Sequence, residues 1–429
     1  MDCDSLFLNL LEQFDEEDQL ANSLMLSFGA VGCAVAMRST EAAQIKRGAR
    51  KRLFACDLAR VENTSWQATK ASRSEGAYYI TVAMSPTAFD RLYSILYPNV
   101  PIGQRDTGGR PLKLPGGKYD SLAMTMFFLH TTATLDEIVL LFGVTASTVC
   151  RHIKEVLMLM SQILPNLPES CIEWPSRSDL AHQAAIIQRQ YPMLEGVFGW
   201  ADGCSFYLQS HVDLSVQELF YNGRKSSAMV NNFFVWSPQG TIIYARYDCE
   251  GRHHDSKLAM DFYEIMASPR VPDGYRIVAD SAFQTIDGRI LKPLSEKAAL
   301  SKVGLLRRER QHPHPDMNII DSLNRDLAMN AFVVSTRQAA EWGNRALLSA
   351  CRRLTQPLPT NEETRRLIIK CSLYIHNYRT RLGALNQIRT VYESVSPSDW
   401  RFNHRGPTNH EQFREKKRRR ELERLEPRQ

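Results

Sequence analysis

Between two largely helical stretches of this 429-residue chain lies a block of closely spaced apolar runs, and that block limits the fold more than any other feature. EGVFGWADG (195–203), SFYLQSH (205–211), MVNNFFVWSP (229–238), GTIIYARYDC (240–249) and YRIVADSAF (275–283) have the length and the aromatic and β-branched content of strands. Pro238, Gln239 and Gly240 make a tight turn, so the third and fourth runs read as a hairpin. Residues 1–100, 119–191 and about 321–388 read as helical. Helices on either side of a strand block place the chain in the α/β class.

Two of the runs end in chemistry. Asp202 and Asp280 each close a short apolar strand and are followed by a small residue, Gly203 or Ser281. If both strands lie in one central sheet, both carboxylates project into one crevice. A helical stretch, RQAAEWGNRALLSACRRL (337–354), then offers Glu341. Three carboxylates from two strands and a helix are what a two-metal phosphoryl-transfer site needs, because Mg²⁺ and Mn²⁺ prefer oxygen ligands. An Asp that closes a strand is also a common turn residue, so the pattern leaves both readings open.

Upstream, TLDEIVLLFGVTASTVCRHIKEVL (134–157) reads as two helices joined at Gly143. Thr134 and Glu137 have capping-box spacing, and Thr145 or Ser147 can cap the second helix. Leu135, Ile138 and Phe142 on the first helix, and Val149, Ile153 and Val156 on the second, give a buried face. The second helix is expected to present Ser147, Thr148, Arg151, His152 and Lys154 outward. That is the helix-turn-helix pattern, and it is also that of an ordinary helical hairpin. Before it, residues 101–118 form a Pro/Gly-rich linker with Arg105, Arg110, Lys113 and Lys118.

The formal charge of +6 is concentrated. Residues 44–60 carry a net +5 and residues 411–429 a net +3, which leaves the body slightly acidic and suits a polyanionic partner. REKKRRR (414–420) resembles a nuclear import signal. Nine scattered cysteines without a C-x-x-C pair argue against a zinc ribbon and against a disulfide framework. The uncharged stretch 20–37 contains Asn22, Ser23, Ser27, Gly29 and Gly32, and reads as a buried helix rather than a membrane span. No membrane association is expected.

Taken in order, FGWADGCSFYL, FYNGRKSSAMVNNFFVWSPQGTIIYA, CEGRHHDSKLA, GYRIVADSAF, RQAAEWGNRALLSACRRL and HNYRTRLGALNQIRTVY resemble the DDE endonuclease domain of PIF/Harbinger-type transposases, in particular the branch found in fungi and oomycetes. The resemblance spans roughly residues 105–395, and the helix-turn-helix segment resembles the one that usually precedes this domain. It implies a ribonuclease-H-like fold, a mixed sheet flanked by helices. It also implies Asp202, Asp280 and Glu341 as the catalytic and metal-binding acids with two Mg²⁺ or Mn²⁺ ions, and Asp255 in a supporting role. The substrate implied is double-stranded DNA, both element ends and target. Arg151, Lys154, Ser147, His152, Arg110 and Lys113 are the expected contacts. A Myb-like accessory protein, a homo-oligomer that bridges two ends, and a nuclear location complete the picture. Glu250 and Arg252 depart from the Pro and Ser common in the family, and the basic residue after the third acid is delayed to Arg345. The domains expected are a helical region 1–100, the linker 101–118, a helix-turn-helix region 119–185, a nuclease domain 190–398 and a basic tail 399–429. The alternative function is a domesticated nuclear DNA-binding protein without catalysis.

Overall fold

The computed structural model describes residues 53, 55–101, 114–210, 213–383 and 386–392. The 20–37 stretch, Arg105, Arg110, Lys113, most of the 44–60 patch and the 414–420 run lie outside the described residues.

Among the described residues the first α-helices are α1 (Ser65–Ser72), α2 (Glu75–Val82) and α3 (Pro86–Leu96). Each begins where a hydroxyl accepts a first-turn backbone N–H: Thr64 from Gln67, Ser74 from Ala77 and Ser85 from Ala88. Helix α4 (Lys118–His130) follows, and one buried carboxylate ties it to α1. Asp120 accepts from Trp66 Nε1 at 2.8 Å, Gln67 Nε2 at 2.8 Å, Lys70 Nζ at 3.0 Å and the Gly116 N–H at 2.6 Å. With its lone pairs filled and a cation beside it, this acid is structural.

Helices α5 (Leu135–Phe142) and α6 (Ala146–Ile163) are the pair read from the sequence. The Thr134–Glu137 capping box is formed, and Gly143 ends α5 at a φ of +70°, where a β-carbon would also meet Thr64. Helix α7 (Arg177–Gln190) leads into the sheet. The remaining elements are β1 (Val197–Tyr207), α8 (Leu214–Phe220), β2 (Tyr221–Asn222), β3 (Ser227–Trp236), β4 (Ile242–Glu250), α9 (Asp255–Leu258), α10 (Met260–Ala267), β5 (Arg276–Ala279), β6 (Ile290–Leu291), α11 (Glu296–Gln311), α12 (Met317–Ala350), α13 (Glu362–Arg381) and α14 (Gln387–Tyr392).

The sheet is mixed. Its order is β4-β3-β1-β5-β6, with β2 paired to the first residues of β3. Strands β1, β3 and β4 are antiparallel neighbours, while β5 and β6 run parallel to β1. Helices cover both faces. Leu180 and Ala184 of α7, with Phe262 and Met266 of α10, pack on Phe198, Ala201, Phe233 and Ile277. On the other side Ala339, Ala340 and Leu347 of α12 join Trp200, Phe234, Trp236 and Val278. That second cluster runs on without a break through α13 and α6 to Trp66 and Phe89.

Two expectations are corrected here. The runs 195–203 and 205–211 are one strand, because Asp202 and Gly203 stay in the ladder opposite Phe234 and Phe233 of β3. Asp202 therefore sits within its strand, not at its end. On α6, Thr148 and His152 are buried rather than outward. The small Ser121 on α4 admits the imidazole, whose Nδ1 lies 3.2 Å from the Ser121 hydroxyl. Burial pushes His152 down to about 4, so it is neutral and cannot meet DNA as it stands. Ser147 and Arg151 are exposed and Lys154 is half-buried.

Candidate active site

The register of two parallel strands builds the site. Ala201 of β1 pairs with Ala279 of β5, and there β5 ends. The next residues, Asp202 and Asp280, thus stand level with each other, the first in a strand still paired to β3 and the second in the loop after β5. The carboxyl end of a parallel strand is where open α/β sheets place their ligands. Asp280 Oδ1 accepts the Ser281 backbone N–H at 2.7 Å, which fixes its rotamer.

The third wall is α12. It presses so close to the sheet that a β-carbon on Gly343 would fall 2.4 Å from the Trp236 ring. That approach puts Asn344 onto Asp202, with Nδ2 donating to Oδ2 at 3.0 Å. Two turns earlier on the same helix, Arg337 Nη1 stands 2.7 Å from Asp280 Oδ1 and its Nη2 stands 3.7 Å from Glu341 Oε1. Asp280 and Glu341 therefore meet through one guanidinium.

Asp255 opens α9 and comes from the far side of β1, against Gly203. A β-carbon at Gly203 would lie 2.5 Å from its Oδ1 and 2.6 Å from its Cγ, so only glycine lets this carboxylate approach. Gly203→Ala is expected to displace Asp255 and to slow whatever reaction this cluster performs by about 10- to 100-fold, with little change in melting temperature. Turnover and thermal melting of the purified variant check this, and an unchanged rate would show Asp255 to be dispensable.

Electrostatics follow from the crowding. Burial, and then the neighbouring Asp255 charge, push the Asp202 carboxyl up to about 7, against the pull of the Gly203 N–H. Burial also raises Asp255, which Arg224 partly offsets, with Lys225 adding to that effect. Both cations lie in the exposed turn between β2 and β3. At the end of β4, Glu250 pairs with Arg252 at 2.7 Å, so the two departures noted in the sequence satisfy each other.

The donors suit a hard divalent cation. Asp202, Asp255, Asp280 and Glu341 all offer carboxylate oxygens, and Asn344 Oδ1 is buried with no hydrogen-bond partner. As arranged, however, no group of three His, Cys, Asp or Glu side chains among the described residues is laid out to hold one ion. Arg337 stands between two of the acids instead.

Arg337, Asn344, Arg224 and Lys225 were not singled out from the sequence, and Gly203 was noted only as the small residue after Asp202. For the first two a signal was there, since positions 337, 341 and 344 share one helical face. Nothing local marks Arg224 and Lys225.

Residues 201–377 match the model of the DDE superfamily endonuclease family. The matched segment begins one residue before Asp202 and encloses Asp255, Asp280, Arg337, Glu341 and Asn344. No curated protein and no solved structure matches the chain. No helix among the described residues is long and apolar enough to cross a membrane.

Proposed function

We propose that the chain is a DNA transposase or endonuclease of the PIF/Harbinger type, which cuts and joins phosphodiesters with two divalent ions, Mg²⁺ or Mn²⁺. The observation that carries this reading is the β1–β5 register, which sets Asp202 and Asp280 level with each other beneath the helix that bears Glu341, all inside the endonuclease match. The sheet order supports a ribonuclease-H-like fold, with three antiparallel strands flanked by two parallel ones on the β1 side.

Asp202, Asp280 and Glu341 would hold the ions, which supply charge stabilisation at the phosphate and activation of the attacking oxygen. The chain's own groups do the positioning. Asn344 holds the Asp202 carboxylate by its Oδ2, and the Ser281 N–H holds Asp280. Asp255 orients the cluster from the other side of Gly203. Such chemistry asks for little covalent participation by the protein, so alignment and electrostatics carry the rate.

Duplex DNA, first the element end and then the target, is the substrate in this reading. Ser147, Arg151 and Lys154 on α6 form the outward face of a helix-turn-helix, and Arg110 and Lys113 add phosphate contacts from the linker. A Myb-like accessory protein, a homo-oligomer and nuclear import through 414–420 belong to the same proposal.

The test is cleavage of end-labelled duplex DNA with Mn²⁺ or Mg²⁺, across a salt series. The native chain is compared with Asp202→Asn, Asp280→Asn and Glu341→Gln. Metal-dependent cutting that falls at least about 10³-fold in all three folded variants supports the assignment. Salt-sensitive binding with no cutting by any form would favour instead a domesticated DNA-binding protein, or an enzyme that lacks its accessory protein.

A further inference from the structure

The carboxylates suit a divalent cation, yet no three of them are set around a single point. Arg337 accounts for that arrangement. Its guanidinium reaches Asp280 Oδ1 with one nitrogen and Glu341 Oε1 with the other, at 2.7 and 3.7 Å. It comes from the same helix as Glu341, four residues earlier, so the helix delivers both the acid and the group that neutralises it.

We infer that Arg337 is a resident counter-ion, which joins Asp280 to Glu341 while the site is free of metal and is exchanged for the incoming divalent cation. The inference rests on the metal-dependent reading above and adds to it a residue that the reading does not use.

The physical case has three parts. First, without Arg337 the two acids would face each other, with Asp202 and Asp255 nearby, and like charges at such distances repel. Among the described residues Arg337 is the cation paired with both Asp280 and Glu341. Second, the pair is easily broken. Arg337, Asp280 and Glu341 are 36%, 40% and 47% exposed, and ion pairs in that setting contribute little to stability because water competes for both partners. A divalent ion that gains two carboxylates at once therefore displaces it readily. Third, Arg cannot shed its charge at any working pH, so the exchange takes place only by movement of the side chain. Its exposure leaves room for that movement. The freed guanidinium then remains beside the site, where the next anion to arrive is the DNA phosphate.

Arg337 is thus a positioning residue, and its removal should produce a gain that a merely structural side chain would not give. In full-length protein without DNA, Mn²⁺ binding read from the electron paramagnetic resonance of free Mn²⁺ should be about three- to tenfold tighter for Arg337→Gln than for the native chain. Asp280→Asn and Glu341→Gln should weaken it in the same assay. Arg337→Lys keeps the charge but cannot fork to both acids, so it should also bind Mn²⁺ more tightly than the native chain, and it serves if the glutamine variant does not fold. Mn²⁺ binding that is unchanged or weaker in a folded Arg337 variant, while both acid variants lose affinity, overturns the counter-ion role alone. Equal binding by all five proteins overturns the metal-site reading and the counter-ion role together.

Discussion

Asp202→Asn is expected to destroy cutting and, at the same time, to stabilise the metal-free protein at neutral pH. Burial and the Asp255 charge hold the Asp202 carboxyl at about 7, well above its ordinary value of 3.8. A carboxyl raised in the folded state favours its protonated form there. Its contribution to stability is therefore full below about pH 4, and is lost as the pH rises toward 7. One pH unit corresponds to about 1.4 kcal/mol, and relaxation and partial solvation reduce the sum, so the ionised acid costs the fold about 1–3 kcal/mol at pH 8. Asparagine has the same shape and never ionises. Urea midpoints in chelator at pH 4 and pH 8 should therefore diverge, with the variant ahead at pH 8 and the two proteins close at pH 4. Parallel pH profiles for both proteins would show that Asp202 ionises freely and that the site stores no such penalty.

The largest loss of stability is expected away from the site, at Arg365. Its Nε donates to Asp248 Oδ1 at 2.5 Å and its Nη1 donates to the Thr360 carbonyl at 2.8 Å, and the guanidinium lies over the Phe220 ring. The two side chains are 4% and 1% exposed. This pair locks α13 to β4, the outer antiparallel strand. Removing one member leaves a charge in a dry interior, which typically costs about 3–5 kcal/mol, far more than the intact pair contributes. Arg365→Met should lower the melting temperature by roughly 3–7 °C. The double variant with Asp248→Asn should recover part of the loss, because no buried charge then remains unpaired. Two single variants that each melt within a degree or two of the native chain would show the pair to be hydrated.

Sequence reasoning reached the parts of this molecule that are local. The Thr134–Glu137 box and Gly143 fix the α5–α6 turn from a few neighbouring residues, and they stand where the spacing put them. Asp202 and Asp280 were visible as acids after apolar runs. That Asp202 lies inside its strand was not visible, since Asp and Gly are poor strand residues in isolation. Pairing with β3 overrides that preference at a central position. The match of Ala201 to Ala279 joins segments far apart in the chain, and nothing in either segment encodes it alone. His152 was misread because the spacing gives one face of α6, whereas the helix is packed on more than one side. Helix α11 went unread altogether, as none of its residues is fully buried and no apolar stripe marks it.

One consequence concerns distance along DNA. The core that holds the sheet also holds α6, through Leu157 and Met160 and through the Cys371 thiol of α13, which donates to the Leu157 carbonyl. If α6 reads DNA and the carboxylates cut it, as proposed, the two heads are built on one such core and would not drift apart. A duplex gripped by Ser147 and Arg151 would be offered to the carboxylates at one fixed number of base pairs from the grip. The fold itself would then act as the ruler that sets where the strand is broken.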